Sequence, residues 1–204
     1  MKQSSRYRSP LSNCVKLYCP QLIAIWLMLI LSTMLIIPGL SVAEDAGFSA
    51  LGLRVGISTH TEKFDFTSYE AFAVYRLPWT WRVFSDWFLS TRINGSAGVI
   101  MQDDDAELIS SLGPGIALGR PKGRLSLDTG GGITILSDYK IGGHDFGGPT
   151  PFTVFGGISY RLVRNVAVGY RFHHISDAGI FDGKGLNLHL LEISYRFYIV
   201  QTVK

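Results

Sequence analysis

Cysteine is almost missing from this chain of 204 residues: there are two, Cys14 and Cys19, both near the N-terminus. Past residue 43 no thiol remains, so neither a disulfide framework nor a thiolate metal site is available there. An excess of charge is missing as well. The formal charge of +3 traces to Lys2, Arg6, Arg8 and Lys16 in a stretch without acids, and the other 15 of the 19 basic residues face 16 acidic ones. No basic patch is left to hold nucleic acid. Nor does any segment after Ala43 form an apolar run long enough to read as a spanning helix.

What is present begins as a leader. A basic stretch ends near Lys16, an apolar run extends from Leu22 to Ile37, and Pro38, Gly39 and the small-residue pattern Ser41-Val42-Ala43 follow. This order predicts a signal peptide over 1–43, cut after Ala43, with residues 44–204 as the mature domain. An uncleaved anchor is the alternative, since the run is nearly long enough to cross a bilayer. Cys19 precedes the run, so it is badly placed for a lipoprotein.

The mature chain alternates. Leu51, Leu53, Val55 and Ile57 oppose Gly52, Arg54, Gly56 and Ser58; in the next segment, about Thr67 to Arg76, Tyr69, Ala71, Ala73 and Tyr75 oppose Glu70. Six more segments repeat the pattern. Their apolar faces are carried by Trp87 to Val99, Leu108 to Leu118, Leu125 to Ile135, Phe152 to Tyr160, Val166 to Phe172 and Leu191 to Phe197. Eight alternating segments predict an all-β, eight-stranded antiparallel transmembrane β-barrel. A soluble barrel would turn the apolar faces inward. Here the opposite faces carry charges and glycines too small to fill a core, and Trp79, Trp81, Trp87, Tyr160, Tyr170, Tyr195 and Phe197 suit interfacial girdles. Arg171 and Glu192 fall on inward faces of neighbouring strands and are expected to pair.

With the mature N-terminus in the periplasm, 119–123 and 162–165 become short periplasmic turns. The stretches 59–65, 101–106, 137–148 and 177–185 become outer loops, mostly longer, which is the usual asymmetry.

Chemistry could sit where the seventh strand ends, in His174-Ile175-Ser176-Asp177-Ala178-Gly179. His174 and Ser176 are two apart and share the face of Val166 to Phe172, which looks at lipid. An imidazole beside a hydroxyl can act as general base for an alkoxide nucleophile. Polar residues are also ordinary in the headgroup zone, and spacing alone favours that reading.

The segment Arg171 to Phe197 resembles the end of the lipid A 3-O-deacylase family (PagL type), eight-stranded outer-membrane barrels. The family carries His-x-Ser-Asn followed closely by Ala or Gly, a short loop, and Gly-x-acid opening the last strand. The matching residues here are His174, Ser176, Ala178 and Gly179, then Gly185-Leu186-Asn187, with Tyr195-Arg196-Phe197 as a terminating strand. The resemblance implies a carboxylic ester hydrolase of the cell outer membrane acting on lipid A, without a cofactor or metal. It implies Ser176 as nucleophile, His174 as base and then acid, and Asn187 at the position of the glutamate that orients the histidine. Asparagine can hold a tautomer, but cannot stabilise an imidazolium by charge. Asp177 stands where the family usually has an oxyanion-hole asparagine. A carboxylate there would repel developing negative charge, so only backbone N–H groups at Asp177 and Gly179 could support the site. Asp177 as a replacement acid would need a local bend.

Other candidates are weaker. His173 and His174 should face opposite sides, which makes them poor co-ligands of one metal. His189 shares the face of Asn187 and reads as an interfacial aromatic. Asp103, Asp104 and Asp105 read as a solvated acidic loop before a cation site, and Gly130, Gly131 and Gly132 as small residues in a tight strand. Besides hydrolysis, a non-catalytic small barrel with a structural, adhesion or resistance role fits the same topology, as does transfer of the acyl chain to another acceptor. Lipid A of the outer leaflet is the expected partner, and pairing of two barrels stays open.

Overall fold

Lipid offers a peptide group no hydrogen bonds, so a sheet that crosses it must close on itself. In the computed structural model, which describes residues 42–43, 46–58, 65–103, 105–121, 123–178, 183 and 185–197, the chain does this. Its strands are β1 (Val42–Ala43), β2 (Gly47–Ser58), β3 (Phe66–Phe84), β4 (Trp87–Gln102), β5 (Asp105–Gly119), β6 (Leu125–Leu136), β7 (Lys140–Ile141), β8 (His144–Asp145), β9 (Phe152–Arg161), β10 (Val166–Ser176) and β11 (Leu186–Arg196). Eight of them run in the order β3-β2-β11-β10-β9-β6-β5-β4, and a β3–β4 pairing closes the ring. Every pairing is antiparallel. The protein is therefore an eight-stranded transmembrane barrel, as its alternation predicts. The first 41 residues of the expected leader lie outside the described residues; Val42 and Ala43 pair with Thr80 and Trp79.

Parity separates the two faces sharply. Leu191 is 70% exposed while its neighbour Leu190 is fully buried. Tyr69 and Tyr75 point out and Glu70 points in, as the second segment requires. Regularity fails where proline removes a donor. The β3–β4 register shifts between Arg76 and Thr80, around Pro78. The β5–β6 ladder keeps one register from Leu112↔Ile133 to Gly115↔Gly130 but skips Gly113 and Pro114. At that gap the two backbones come so close that a Cβ on Gly132 would collide with Leu112 O and lie 2.7 Å from Gly113 Cα. Gly132→Ala is expected to destabilise the barrel by about 1–3 kcal/mol through overpacking. Gly156→Ala, where an added Cβ meets nothing within 4 Å, should cost almost nothing. Urea unfolding in lipid vesicles would compare the two.

The inward face has two chemistries. Its middle is ionic: Arg54 Nη2 lies 2.6 Å from Glu70 Oε2, and Arg171 donates from Nε to Glu192 Oε1 at 2.8 Å while its Nη2 lies 2.8 Å from Asp128 Oδ2. Ser96 Oγ donates to the same Glu70 oxygen at 2.7 Å. The expected Arg171–Glu192 pair is present, within a larger network. Toward the end that carries the longer connections, the inward face turns apolar: Phe66, Ile100, Ile109, Leu136, Ile175 and Leu186 are among the buried residues of one cluster. The expected inward face, with charges and glycines too small to fill a core, holds for the middle of the barrel but not for this end, where hydrocarbon plugs the lumen.

The outer loop expected over 137–148 contains the β7–β8 hairpin, whose turn residues Gly142 and Gly143 have φ of +54 and +88. Paired positive φ values are what a tight two-residue hairpin needs. Ile141 and Phe146 on either side are fully buried in the plug, so the hairpin caps the lumen. Asp145 accepts from the Gly147 N–H at 2.9 Å and lies 3.3 Å from Lys140. The backbone donor first, and the ammonium after it, hold this carboxyl below its ordinary pKa. The cap thus gains stability from Asp145 at neutral pH and loses it as pH falls through that lowered value. Likewise the 101–106 loop shrinks, since β4 runs to Gln102 and β5 starts at Asp105.

Candidate active site

β10 and β11 are adjacent, and their register sets His174 opposite Asn187 and Phe172 opposite His189. All four side chains lie on the lipid-facing side, whereas their neighbours His173, Ile175, Leu186 and Leu188 are buried inside. His174 Nδ1 is 2.7 Å from Asn187 Oδ1. An amide oxygen only accepts, so in the neutral ring Nδ1 carries the proton and Nε2 the lone pair. That tautomer is the one a general base requires.

Ser176 follows on the same face. Among the described residues no hydrogen bond joins its hydroxyl to the ring, but the two flank one small space. A Cβ placed on Gly185 would sit 3.1 Å from His174 Cε1 and 3.5 Å from Ser176 Cβ. Cε1 adjoins Nε2, so the free ring nitrogen and the serine border the gap that glycine leaves open. A reacting atom held there would be near both groups, which is the geometric requirement for nucleophile and base. The role of Gly185 was not read from the sequence, where it served only as part of a motif. Its signal was the absence of a side chain directly before a strand residue pairing with the histidine strand.

Directly after Ser176 the chain leaves the sheet. Ala178 has φ of 56, a left-handed backbone that costs an alanine about 1 kcal/mol. The Asp177 carboxylate is buried and accepts the Gly183 N–H at 2.9 Å. A Cβ on Gly147 would lie 2.7 Å from its Oδ2. Asp177 therefore ties the connection after β10 to the segment beside β8, and its carboxylate is committed there. Gly179 lies outside the described residues. His173 packs its ring on Phe155 inside the barrel at 5.6 Å between centroids, on the other face from His174. His189 is bonded to Tyr170, Oη to Nδ1 at 2.5 Å, and meets Phe172 edge-on at 5.3 Å. Of the acidic run, Asp105 accepts from the Gly142 N–H at 3.2 Å and so touches the cap. Asp104 lies outside the described residues.

Comparison with known proteins bears on this wall. No curated protein sequence matches the chain. Among solved structures, the outer membrane enzyme PagL aligns with a TM-score of 0.61 at 17% identity, covering 73% of this chain and 100% of that one. Neisserial surface protein A aligns with a TM-score of 0.46 at 14% identity, covering 76% and 100%. A de novo designed transmembrane β-barrel gives 0.44 at 14% identity, covering 76% and 100%. The first of these shares the fold. The family model described as Lipid A 3-O-deacylase (PagL) matches residues 67–196, which includes every strand from β4 to β11. On that match, which spans more than half of its length, the chain belongs to the lipid A 3-O-deacylase family.

Proposed function

We propose that the protein is an outer-membrane hydrolase that cleaves the 3-O-linked acyl ester of lipid A, using Ser176, His174 and Asn187. The observation that carries this reading is the 2.7 Å contact between His174 Nδ1 and Asn187 Oδ1 on the lipid-facing wall, with Ser176 two residues along the same strand. Three polar groups directed at lipid are costly without a task, and an ester held in the outer leaflet beside the barrel gives them one.

In this reading Ser176 Oγ attacks the ester carbonyl carbon and His174 Nε2 takes its proton. The tetrahedral intermediate collapses, the C–O bond to the sugar breaks, and Nε2 gives its proton to the departing sugar hydroxyl. Water then cleaves the acyl-serine by the same steps and releases the fatty acid. Asn187 keeps the ring in the required tautomer through both halves. No step draws on a cofactor. Backbone N–H groups in the turn after Ser176 are the candidates to receive the oxyanion.

The test is lipid mass spectrometry on an outer membrane that lacks such activity. Expression of the native protein should remove one 3-linked acyl chain, and a folded Ser176→Ala variant should remove none. Unchanged lipid A from a correctly inserted native barrel would overturn the proposal in favour of a non-catalytic barrel.

Asn187 also yields a prediction of its own. A carboxylate at this position would add charge stabilisation of the imidazolium that an amide lacks. Asn187→Glu should therefore raise kcat by up to about 10³-fold, while Asn187→Ala, which frees the ring, should lower it. Carboxylates are tolerated near the membrane interface better than at its centre, so the acidic variant should still insert. Single-turnover assays on purified lipid A in mixed micelles would measure all three.

A further inference from the structure

One rung inward from the hydrocarbon plug, the barrel holds a cavity of about 20 Å³ whose lining includes Asn94, Gly113, Thr153, His173, Arg54 and Arg171. Glycine makes this space. Gly113 stands opposite Asn94 across β4–β5, and Gly132 opposite Thr153 across β6–β9. At both glycines a Cβ would collide with the neighbouring backbone, so no side chain fills the arc between Asn94 and Thr153.

Ser96 and Ser111 beside the cavity bond each other, but four other polar atoms of its wall are unpaired. Asn94 Nδ2 and Oδ1, Thr153 Oγ1 and His173 Nε2 are buried, and among the described residues each lacks a hydrogen-bond partner. Thr153 and His173 are 5% and 4% exposed. A buried polar atom left unpaired costs roughly 1–3 kcal/mol, and native proteins rarely retain four in one place. The two guanidiniums nearby are already engaged, Arg54 with Glu70 and Arg171 with Glu192 and Asp128.

We infer that this cavity is a binding site for one or two ordered water molecules bridging His173, Thr153 and Asn94. The composition of the wall selects water. Asn94 presents both a donor and an acceptor, so the occupant must accept and donate. A halide can only accept, a bare cation can only be coordinated by lone pairs, and the neighbouring arginines repel a cation. The volume admits water, since a water needs at least roughly 10–15 Å³ and two to four polar partners. The water would tie three strands together behind the wall. His173 shares a peptide bond with His174, so its anchorage inside the barrel steadies the strand that carries the outward site.

The experiment uses the full native barrel, crystallised with and without bromide, together with nitrogen NMR of its histidine rings in lipid. The expected result is density within hydrogen-bond reach of His173 Nε2, Thr153 Oγ1 and Asn94, no anomalous bromide peak, and water-to-protein magnetisation transfer at the His173 ring. Thr153→Val should lose the transfer at His173, and Thr153→Ser, which restores the hydroxyl, should recover it. An empty cavity, or no transfer in the native protein, overturns the inference. So does a bromide peak, which would make the site an anion site instead.

Discussion

Ser176→Ala and His174→Ala should each abolish most deacylation, lowering kcat on the order of 10³-fold, and the double variant should lose no more than either single one. The reasoning concerns size as well as direction. Serine and histidine act as one unit, so removing either removes the function of both, and a complete triad is worth about 10⁶-fold. An asparagine in place of the acid surrenders up to about 10⁴-fold of that. The 2.7 Å contact to Asn187 retains the orienting part of the third residue's role, which sets the expected loss between those limits. Additive losses in the double variant would mean that the two side chains act separately. Side-chain removal on the lipid face leaves the lumen packing untouched, so heat-modifiable electrophoretic mobility should be the same for all four proteins.

Arg171→Met should destabilise the folded barrel by about 3–5 kcal/mol, the usual cost of breaking a buried ion pair by removing one partner. Arg171 stands between two acids, 2.8 Å from Glu192 Oε1 and 2.8 Å from Asp128 Oδ2, with all three side chains nearly inaccessible. Methionine occupies similar space but leaves two carboxylates facing each other. Arg54 Nη1 approaches the same Glu192 oxygen at only 3.5 Å, a weak substitute. Adding Glu192→Gln to Arg171→Met should recover part of the loss, because one stranded charge is then gone. Equilibrium unfolding in urea with the barrel in vesicles would give the free energies. A variant as stable as the native protein would mean that water reaches the lumen freely at this depth.

The barrel itself was legible because period-two alternation survives wherever the two faces differ in chemistry. Leu51 to Ile57 against Arg54 and Gly56 could be assigned without coordinates, and Arg171 and Glu192 could be paired by parity alone. The plug was less legible. Parity set Leu191, His189 and Asn187 outward, but the alternate residues Leu186, Leu188 and Leu190 were not read as a core, because their meeting with Phe66, Ile100 and Ile175 depends on how separate strands converge in space. The cap was missed although its signal was present: Gly142-Gly143 between Ile141 and His144 is a hairpin turn, read as loop because the flanking strands have only two residues each. At the candidate site, parity correctly set His174 beside Asn187 and His173 behind the wall. The engagement of Asp177 with Gly183 was not readable, since it depends on how the connection between β10 and β11 folds back on itself.

The outward placement of the site also sets the units in which the substrate of the proposed reaction is counted. His174 and Asn187 meet on the outer wall while Phe66, Phe146 and Ile141 fill the loop end of the barrel, so in that reaction the lipid arrives sideways in the plane of the bilayer. Encounter is then two-dimensional, and the governing variable is the mole fraction of substrate among the surrounding lipids, not its molarity in the suspension. Diluting the membrane with inert lipid or detergent should then slow the proposed turnover even when the amounts of protein and substrate per millilitre are held constant.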